Sequence, residues 1–208
     1  MRRPRVLLAD DHRLLREALS QLLNPSCDIV GTVADGRALL AAATSLKPDV
    51  VVVDIAMPLL NGLDAARRLN QLIPEIKVVF LTVNEDPDIA VEALQAGGSG
   101  FILKNSAAEE LVHAILEVFQ GRHYVTPLVK RGMANAAVTA VKRHELGSRQ
   151  REVLQLLAEG HTMKQIARIL NITSRTVAFH KYRIMEELGV KTSAELVQYA
   201  IKHHVVSI

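Results

Sequence analysis

Along the first 120 residues, short apolar runs rich in β-branched residues alternate with longer stretches of helical spacing. The runs cover residues 6–9, 29–33, 50–53, 78–82 and 100–103. Between them, about 13–23, 36–46, 62–72, 87–96 and 106–120, apolar residues recur three and four apart, as on one face of a helix. In the first stretch Leu14, Leu15, Ala18, Leu19, Leu22 and Leu23 form the stripe, and in the last Leu111, Ile115, Leu116 and Phe119. Ser106, three residues before Glu109, predicts a capping box. Strands that alternate with helices predict an open parallel sheet covered by helices on both faces. Residues 50–53, four valines without polar alternation, suit a central strand buried on both sides.

The rhythm breaks after about residue 122. Residues 123–146 contain Pro127, Gly132 and a basic, alanine-rich piece, which predicts a linker with one short helix at about 128–141. Helical spacing then returns at about 149–158, 163–170, 174–188 and 193–203, punctuated by Gly160, Asn171 and Gly189. The expected organisation is therefore a five-stranded, doubly wound α/β domain over 1–122, the linker, and an all-α four-helix domain over 147–208.

Charge separates the two halves. The whole chain of 208 residues carries a net charge of only +3, but residues 1–125 hold 12 basic and 16 acidic side chains while residues 126–208 hold 13 and 6. A basic C-terminal part beside an acidic front predicts a polyanion partner for the C-terminal part alone. The single cysteine, Cys27, excludes an internal disulfide framework and suits a reducing cytoplasm. No apolar stretch approaches the ~20 residues of a membrane span, and Asp10 and Asp11 cut the first apolar run short of a signal peptide.

In parallel α/β sheets, ligands bind at the carboxyl ends of the strands. Asp10 and Asp11 follow the first run, Asp54 the third, Thr82 ends the fourth and Lys104 follows the fifth. With strands ordered 2-1-3-4-5, these groups converge. Three carboxylates in one crevice repel one another unless a hard divalent cation such as Mg²⁺ lies between them. A carboxylate there can attack a phosphoryl group, with a lysine and a hydroxyl to stabilise the developing charge. The set thus assigns Asp54 as acceptor, Asp10 and Asp11 with Asp54 as metal ligands, Lys104 as partner of the phosphoryl group and Thr82 as its hydrogen-bond donor. Taken singly, each residue has a plainer reading: a helix cap for the Asp-Asp pair, a turn residue for Asp54, a solvated lysine.

Leu8-Ala9-Asp10-Asp11-His12, Val53-Asp54-Ile55-Ala56-Met57-Pro58, Leu81-Thr82 and Gly100-Phe101-Ile102-Leu103-Lys104 make residues 5–120 resemble the receiver domain of two-component response regulators, a flavodoxin-like fold. The resemblance implies phosphorylation of Asp54 with Mg²⁺ by a sensor histidine kinase, and a switch in which Thr82 moves to the phosphoryl group and Phe101 turns inward. A plain core aromatic is the other reading of Phe101. Asn105 stands where receivers often have proline after the lysine. Val83 and Ala56, beside the acceptor, predict a crowded, apolar mouth that slows attack by water.

In the basic half, Ile166, Ala167, Leu170, Ile172 and Val177 make an apolar interior for two short helices around the turn Asn171-Ile172-Thr173. Thr173 or Ser174 can cap the second helix. This is a helix-turn-helix, whose second helix enters the major groove of double-stranded DNA. On that helix Val177, Ile184 and Leu188 face inward, while Arg175, Ala178, Phe179, Lys181, Tyr182 and Arg183 fall wholly or partly outside. Exposed aromatics among arginines are poorly explained as a solvated face.

Arg149-Gln150-Arg151-Glu152-Val153-Leu154, Thr176-Val177, Leu188-Gly189-Val190 and Ala194-Glu195-Leu196-Val197 make residues 146–204 resemble the LuxR-type output domain of the NarL/FixJ regulators. The resemblance implies base-reading positions at Ala178, Phe179 and Tyr182, and phosphate contacts near Ser174, Arg175, His180, Lys181, Lys191 and Thr192. His180 is alternatively a core histidine. The final helix would support a homodimer that binds two half-sites. The expectation is a cytoplasmic, phosphorylation-dependent transcription regulator and not a turnover enzyme. An aspartate-nucleophile phosphatase would want an acid/base carboxylate two residues after Asp54, where Ala56 stands. The alternative is a DNA-binding regulator controlled without phosphorylation of Asp54.

Overall fold

The computed structural model describes residues 2–106, 108–139, 146–203 and 205–206, with 134–139 described by backbone alone. The front half alternates β1 (Arg5–Ala9), α1 (Arg13–Leu23), β2 (Asp28–Val33), α2 (Gly36–Leu46), β3 (Val50–Val53), α3 (Gly62–Leu72), β4 (Lys77–Thr82), α4 (Pro87–Gln95), β5 (Gly100–Leu103) and α5 (Ala108–Phe119). All strands pair in parallel, in the order β2-β1-β3-β4-β5-β6.

The sixth strand corrects the expected five. β6 (Tyr124–Val125) lies inside the stretch expected to be linker and pairs with Gly100 and Phe101 of β5. Two residues are too short to show an alternating pattern. Thr126 extends the strand's hold: its N–H donates to Phe101 O at 3.0 Å and its hydroxyl to Glu110 at 2.8 Å. α6 (Pro127–Thr139) follows and packs on α4, with Gly132 against Pro87. Residues 140–141 of the expected linker helix lie outside the described residues, as does residue 107, on which the Ser106 cap depends.

Strand residues alternate between two cores. Leu7, Ala9, Val51, Val53, Phe80, Phe101 and Leu103 join α2, α3 and α4 on one face. Val6, Leu8, Val50, Val52, Val79, Leu81 and Ile102 join α1 and α5 on the other.

The second half is helical: α7 (Ser148–Ala158), α8 (Met163–Leu170), α9 (Ser174–Leu188) and α10 (Ser193–Lys202). Val153, Leu156, Ile166, Leu170, Val177, Ile184, Leu196 and Ala200 close its core. Asn171 ends α8 in the left-handed conformation at φ 52°, and Thr173 caps α9 by accepting from Thr176 N–H at 3.1 Å. Leu59 of the front domain packs against this third core.

Candidate functional site

The sheet's ladder runs one residue past three strands and so fixes the functional side chains. Asp10 N–H donates to Val33 O, Asp54 N–H to Ala9 O at 2.8 Å, and Lys104 N–H to Thr82 O at 2.7 Å. All three side chains therefore rise from the carboxyl edge of the sheet. Behind them α3 starts hard against the end of β3: a Cβ on Gly62 would lie 2.2 Å from Asp54 O, so only glycine fits there.

Asp10 and Asp54 are buried, and Lys104 Nζ lies 2.7 Å from Oδ2 of each. Burial pushes the Asp54 carboxyl above its ordinary pKa, and the contacts with Lys104 offset only part of that effect. Burial works against the Lys104 charge as well, but hydrogen bonds to Asp10 and Asp54 outweigh it and raise the lysine pKa. Asp54 Oδ1 accepts from Ala56 N–H at 3.3 Å. Asp10 Oδ1 accepts from His12 N–H at 2.8 Å, so the Asp-Asp pair does not cap α1, whose N-cap is His12.

Asp11 is exposed at the mouth. Ligand atoms of Asp10, Asp11, His12 and Asp54 all lie within 4.8 Å of one another, a set that could hold a metal ion. Its carboxylate oxygens are donors of the kind a hard divalent cation takes.

Thr82 is buried at the end of β4, and its hydroxyl accepts from Asn84 N–H at 3.2 Å. Phe101 already lies inward, fully buried in the core shared with α4, as the plain core-aromatic reading expects, and so has no outward position here from which to turn. Asn105 ties the two loops around the crevice by donating to Glu85 at 3.0 Å. Val83, just past β4, is 76% exposed.

On α9, Arg175, Phe179, Tyr182 and Arg183 are exposed along one face, and Phe179 and Tyr182 are 57% and 64% exposed. The Arg183 guanidinium lies 5.8 Å from the Phe179 ring centroid. Ser174 is exposed at the helix start, and Ala178, His180 and Lys181 are half-buried. Partial burial, with Arg149 and Arg183 near, lowers the His180 pKa. Lys181 Nζ donates to Ser193 Oγ at 2.8 Å, joining α9 to the start of α10. Lys191 and Thr192 are exposed in the intervening turn, where Thr192 caps α10 by accepting from Glu195 N–H at 3.1 Å.

Sequence reasoning missed the interface between the two halves. Glu152 of α7 is fully buried among Arg149 (2.6 Å), Arg37 (3.8 Å) and Arg68, the last two from the front domain. Asp64 of α3 pairs with Arg151 at 2.7 Å. Gln155 and Glu159 reach backbone groups of the loop after Asp54. Glu152, Gln155 and Glu159 are spaced three and four apart, a signal for one polar helix face that reads equally as solvated surface.

The chain matches two known families in turn: residues 6–116 the response regulator receiver domain, and residues 144–200 the luxR family of bacterial regulatory proteins. It is 34% identical over 211 aligned positions to the oxygen regulatory protein NreC of Staphylococcus epidermidis, covering 95% of this chain and 97% of that protein. It is also 34% identical over 209 positions to the response regulator GacA of Pseudomonas aeruginosa, covering 97% of each. Among solved structures, the RcsB response regulator of Salmonella typhimurium superposes with a TM-score of 0.68 at 26% identity over 100% of both chains. An RcsB–DNA complex superposes with a TM-score of 0.61 at 26% identity, over 95% of this chain and 98% of that one.

Proposed function

The chain belongs to the response regulators that join a receiver domain to a LuxR-type helix-turn-helix, and on that footing we propose that it is a transcription regulator whose DNA binding is governed by a phosphoryl group on Asp54. The observation that carries this reading is the shared hold of Lys104 on Asp10 and Asp54 at one strand edge, in a chain whose α9 carries exposed Phe179 and Tyr182.

A carboxylate oxygen of Asp54 attacks the phosphorus of a donor, a phosphohistidine of a sensor kinase or a small acyl phosphate. The new O–P bond forms as the donor's P–N or P–O bond breaks, and the leaving group departs with the bonding pair. Lys104 already faces Asp54 Oδ2, so its ammonium can pair with the phosphoryl oxygens as they arrive. Thr82 exchanges its present bond with Asn84 N–H for one it donates to a phosphoryl oxygen, and Phe101, two strands from the acceptor, repacks with it. Asp10, Asp11 and Asp54 would hold Mg²⁺, which when bound supplies positive charge against the phosphoryl oxygens. With Ala56 two residues on, this chain offers no carboxylate there for turnover, which favours a stored phosphoryl group over phosphatase activity.

On the DNA side, Phe179, Tyr182 and Ala178 would read base edges through apolar contacts such as thymine methyls. Ser174, Arg175, His180, Lys181, Arg183, Lys191 and Thr192 would meet phosphates. The RcsB–DNA complex and the structure of two RcsB dimers on two parallel DNAs support duplex DNA and a homodimer as partners of this chain. A cytoplasmic site suits such a regulator; among the described residues no helix is long and apolar enough to cross a membrane. The test is DNA affinity before and after treatment with acetyl phosphate and Mg²⁺, in the parent and in Asp54→Asn. Tighter binding in the treated parent alone supports the reading, and equal binding in all four samples favours control without phosphorylation.

A further inference from the structure

At the edge of the sheet opposite Asp54, the receiver domain leaves a cavity of about 530 Å³. It lies where β3 and β4 begin side by side, with Lys77 in register with Val50. Pro48, Ile73, Ile76 and Phe119 supply its apolar wall. Ile76 belongs to the core shared with α2, α3 and α4, while Phe119, the last residue of α5, packs on the core of the other face. The cavity therefore wraps around the end of the sheet. Its size falls within the roughly 300–1,000 Å³ of small-molecule sites, which are likewise mostly apolar with a few polar groups.

The polar side chains around the cavity are engaged to different degrees. The Thr44 hydroxyl donates to Leu40 O at 2.9 Å within α2. Asp49 accepts from Arg2 at 2.9 Å and from Arg5 N–H at 2.9 Å, so its charge is already met. Among the described residues, no hydrogen bond or ion pair engages the ammonium of Lys47 or Lys77, or the Glu75 carboxylate. Lys77 is half-buried, and Lys47 and Glu75 are exposed. The unengaged groups thus leave an excess of positive charge beside an apolar wall.

Lys47 occupies its place at a conformational cost. It ends α2 in the left-handed conformation at φ 47°, where glycine or asparagine is usual. The Arg5 guanidinium fixes this turn by donating to Leu46 O at 2.9 Å and to Lys47 O at 3.4 Å. Neither bond uses the Lys47 side chain. At a positive φ a residue with a Cβ is the less stable choice, so backbone stability does not explain the ammonium.

We propose that this cavity binds a small organic anion: an apolar body carrying one carboxylate, the body against Ile73, Ile76 and Phe119 and the carboxylate paired with Lys47 and Lys77. Two unengaged ammoniums beside an apolar wall match that combination, and a cationic solute matches only half of it. Phe119 favours a flat aromatic body, which can pack edge-on or offset against its ring. The site is separate from the acidic crevice. β3 and β4 run from the cavity toward Asp54 and Thr82 at the far edge, so an occupant touches neither residue.

The test uses 2-naphthoate as probe on the full-length protein, followed by calorimetry and by amide chemical shifts. Saturable binding at one site is expected, with shifts centred on residues 44–49, 73–77 and 119. Naphthylmethylammonium, the same body with the opposite charge, binds about ten-fold more weakly or not at all. Lys47→Gly, which suits the left-handed backbone, and Lys77→Gln each weaken naphthoate about three-fold, and the double variant about ten-fold, the effect of two solvent-facing ion pairs. Lys164→Gln, on α8 of the output domain, binds as the parent does. Binding that is equal in the double variant, shifts centred on α9 instead, equal affinity for naphthylmethylammonium, or no binding at millimolar naphthoate each overturns the proposal.

Discussion

Lys104 Nζ stands 2.7 Å from Asp54 Oδ2 and at the same distance from Asp10 Oδ2, so one ammonium is shared by two buried carboxylates that follow neighbouring strands. Removing it leaves those charges facing each other out of water. Lys104→Met is expected to lose about 3–5 kcal/mol of stability, the usual cost of orphaning a buried charge. It is also expected to bind Mg²⁺ more tightly, because the ion no longer competes with the ammonium for the same oxygens. Urea unfolding with and without Mg²⁺ measures both effects, and a larger Mg²⁺ stabilisation in the variant than in the parent is the outcome to look for.

Glu152 makes the corresponding prediction for the domain interface. It is fully buried between two arginines of the receiver, Arg37 and Arg68, and Arg149 of its own helix. Glu152→Ala leaves like charges clustered without their anion. The docked form should give way, and small-angle scattering should report a larger radius of gyration. An unchanged radius in a folded variant would mean that the remaining Asp64–Arg151 pair and the hydrogen bonds of Gln155 suffice.

The roles proposed for the α9 surface predict that affinity and reading can be separated. Arg175→Ala should lower the salt slope of binding to a random duplex by about 0.9, the share of one phosphate contact. Phe179→Ala and Tyr182→Ala should leave that slope alone and weaken binding only where the sequence is specific. Anisotropy titrations at several salt concentrations distinguish the two behaviours.

Cys27 gives a pH prediction. Burial pushes its thiol up to about 11 from the model-peptide value of 9.0. A folded-state pKa above the unfolded one means that the unfolded chain releases the proton first. The contribution to stability is therefore full below pH 9 and is lost as pH rises toward 11. Cys27→Ala should show a shallower loss of stability over that window than the parent, measured by urea unfolding at each pH. Alkylation at pH 8 should modify the parent only once it is unfolded.

The acidic crevice was legible in the sequence because a parallel sheet brings every strand's carboxyl end to one edge. Asp10, Asp54, Thr82 and Lys104 each fall at such an end, so strand positions alone nearly placed them. The exposed face of α9 was legible because its buried residues, Val177 and Ile184, are spaced to leave Phe179 and Tyr182 outside. The interface was not. Glu152, Gln155 and Glu159 are polar residues on a helix, and nothing local distinguishes a face buried on another domain from a face in water. At Leu59 no glycine or asparagine announces the left-handed backbone, at φ 65°, and β6 is two residues long.

Asp54 is proposed to take the phosphoryl group. Intact mass after incubation with acetyl phosphate and Mg²⁺, in the parent and in Asp54→Asn, tests it most directly. One added phosphoryl group in the parent and none in the variant is the expected result. Equal addition in both would move the chemistry to another residue, and no addition in a folded, Mg²⁺-binding parent would contradict the acceptor reading for small phosphodonors.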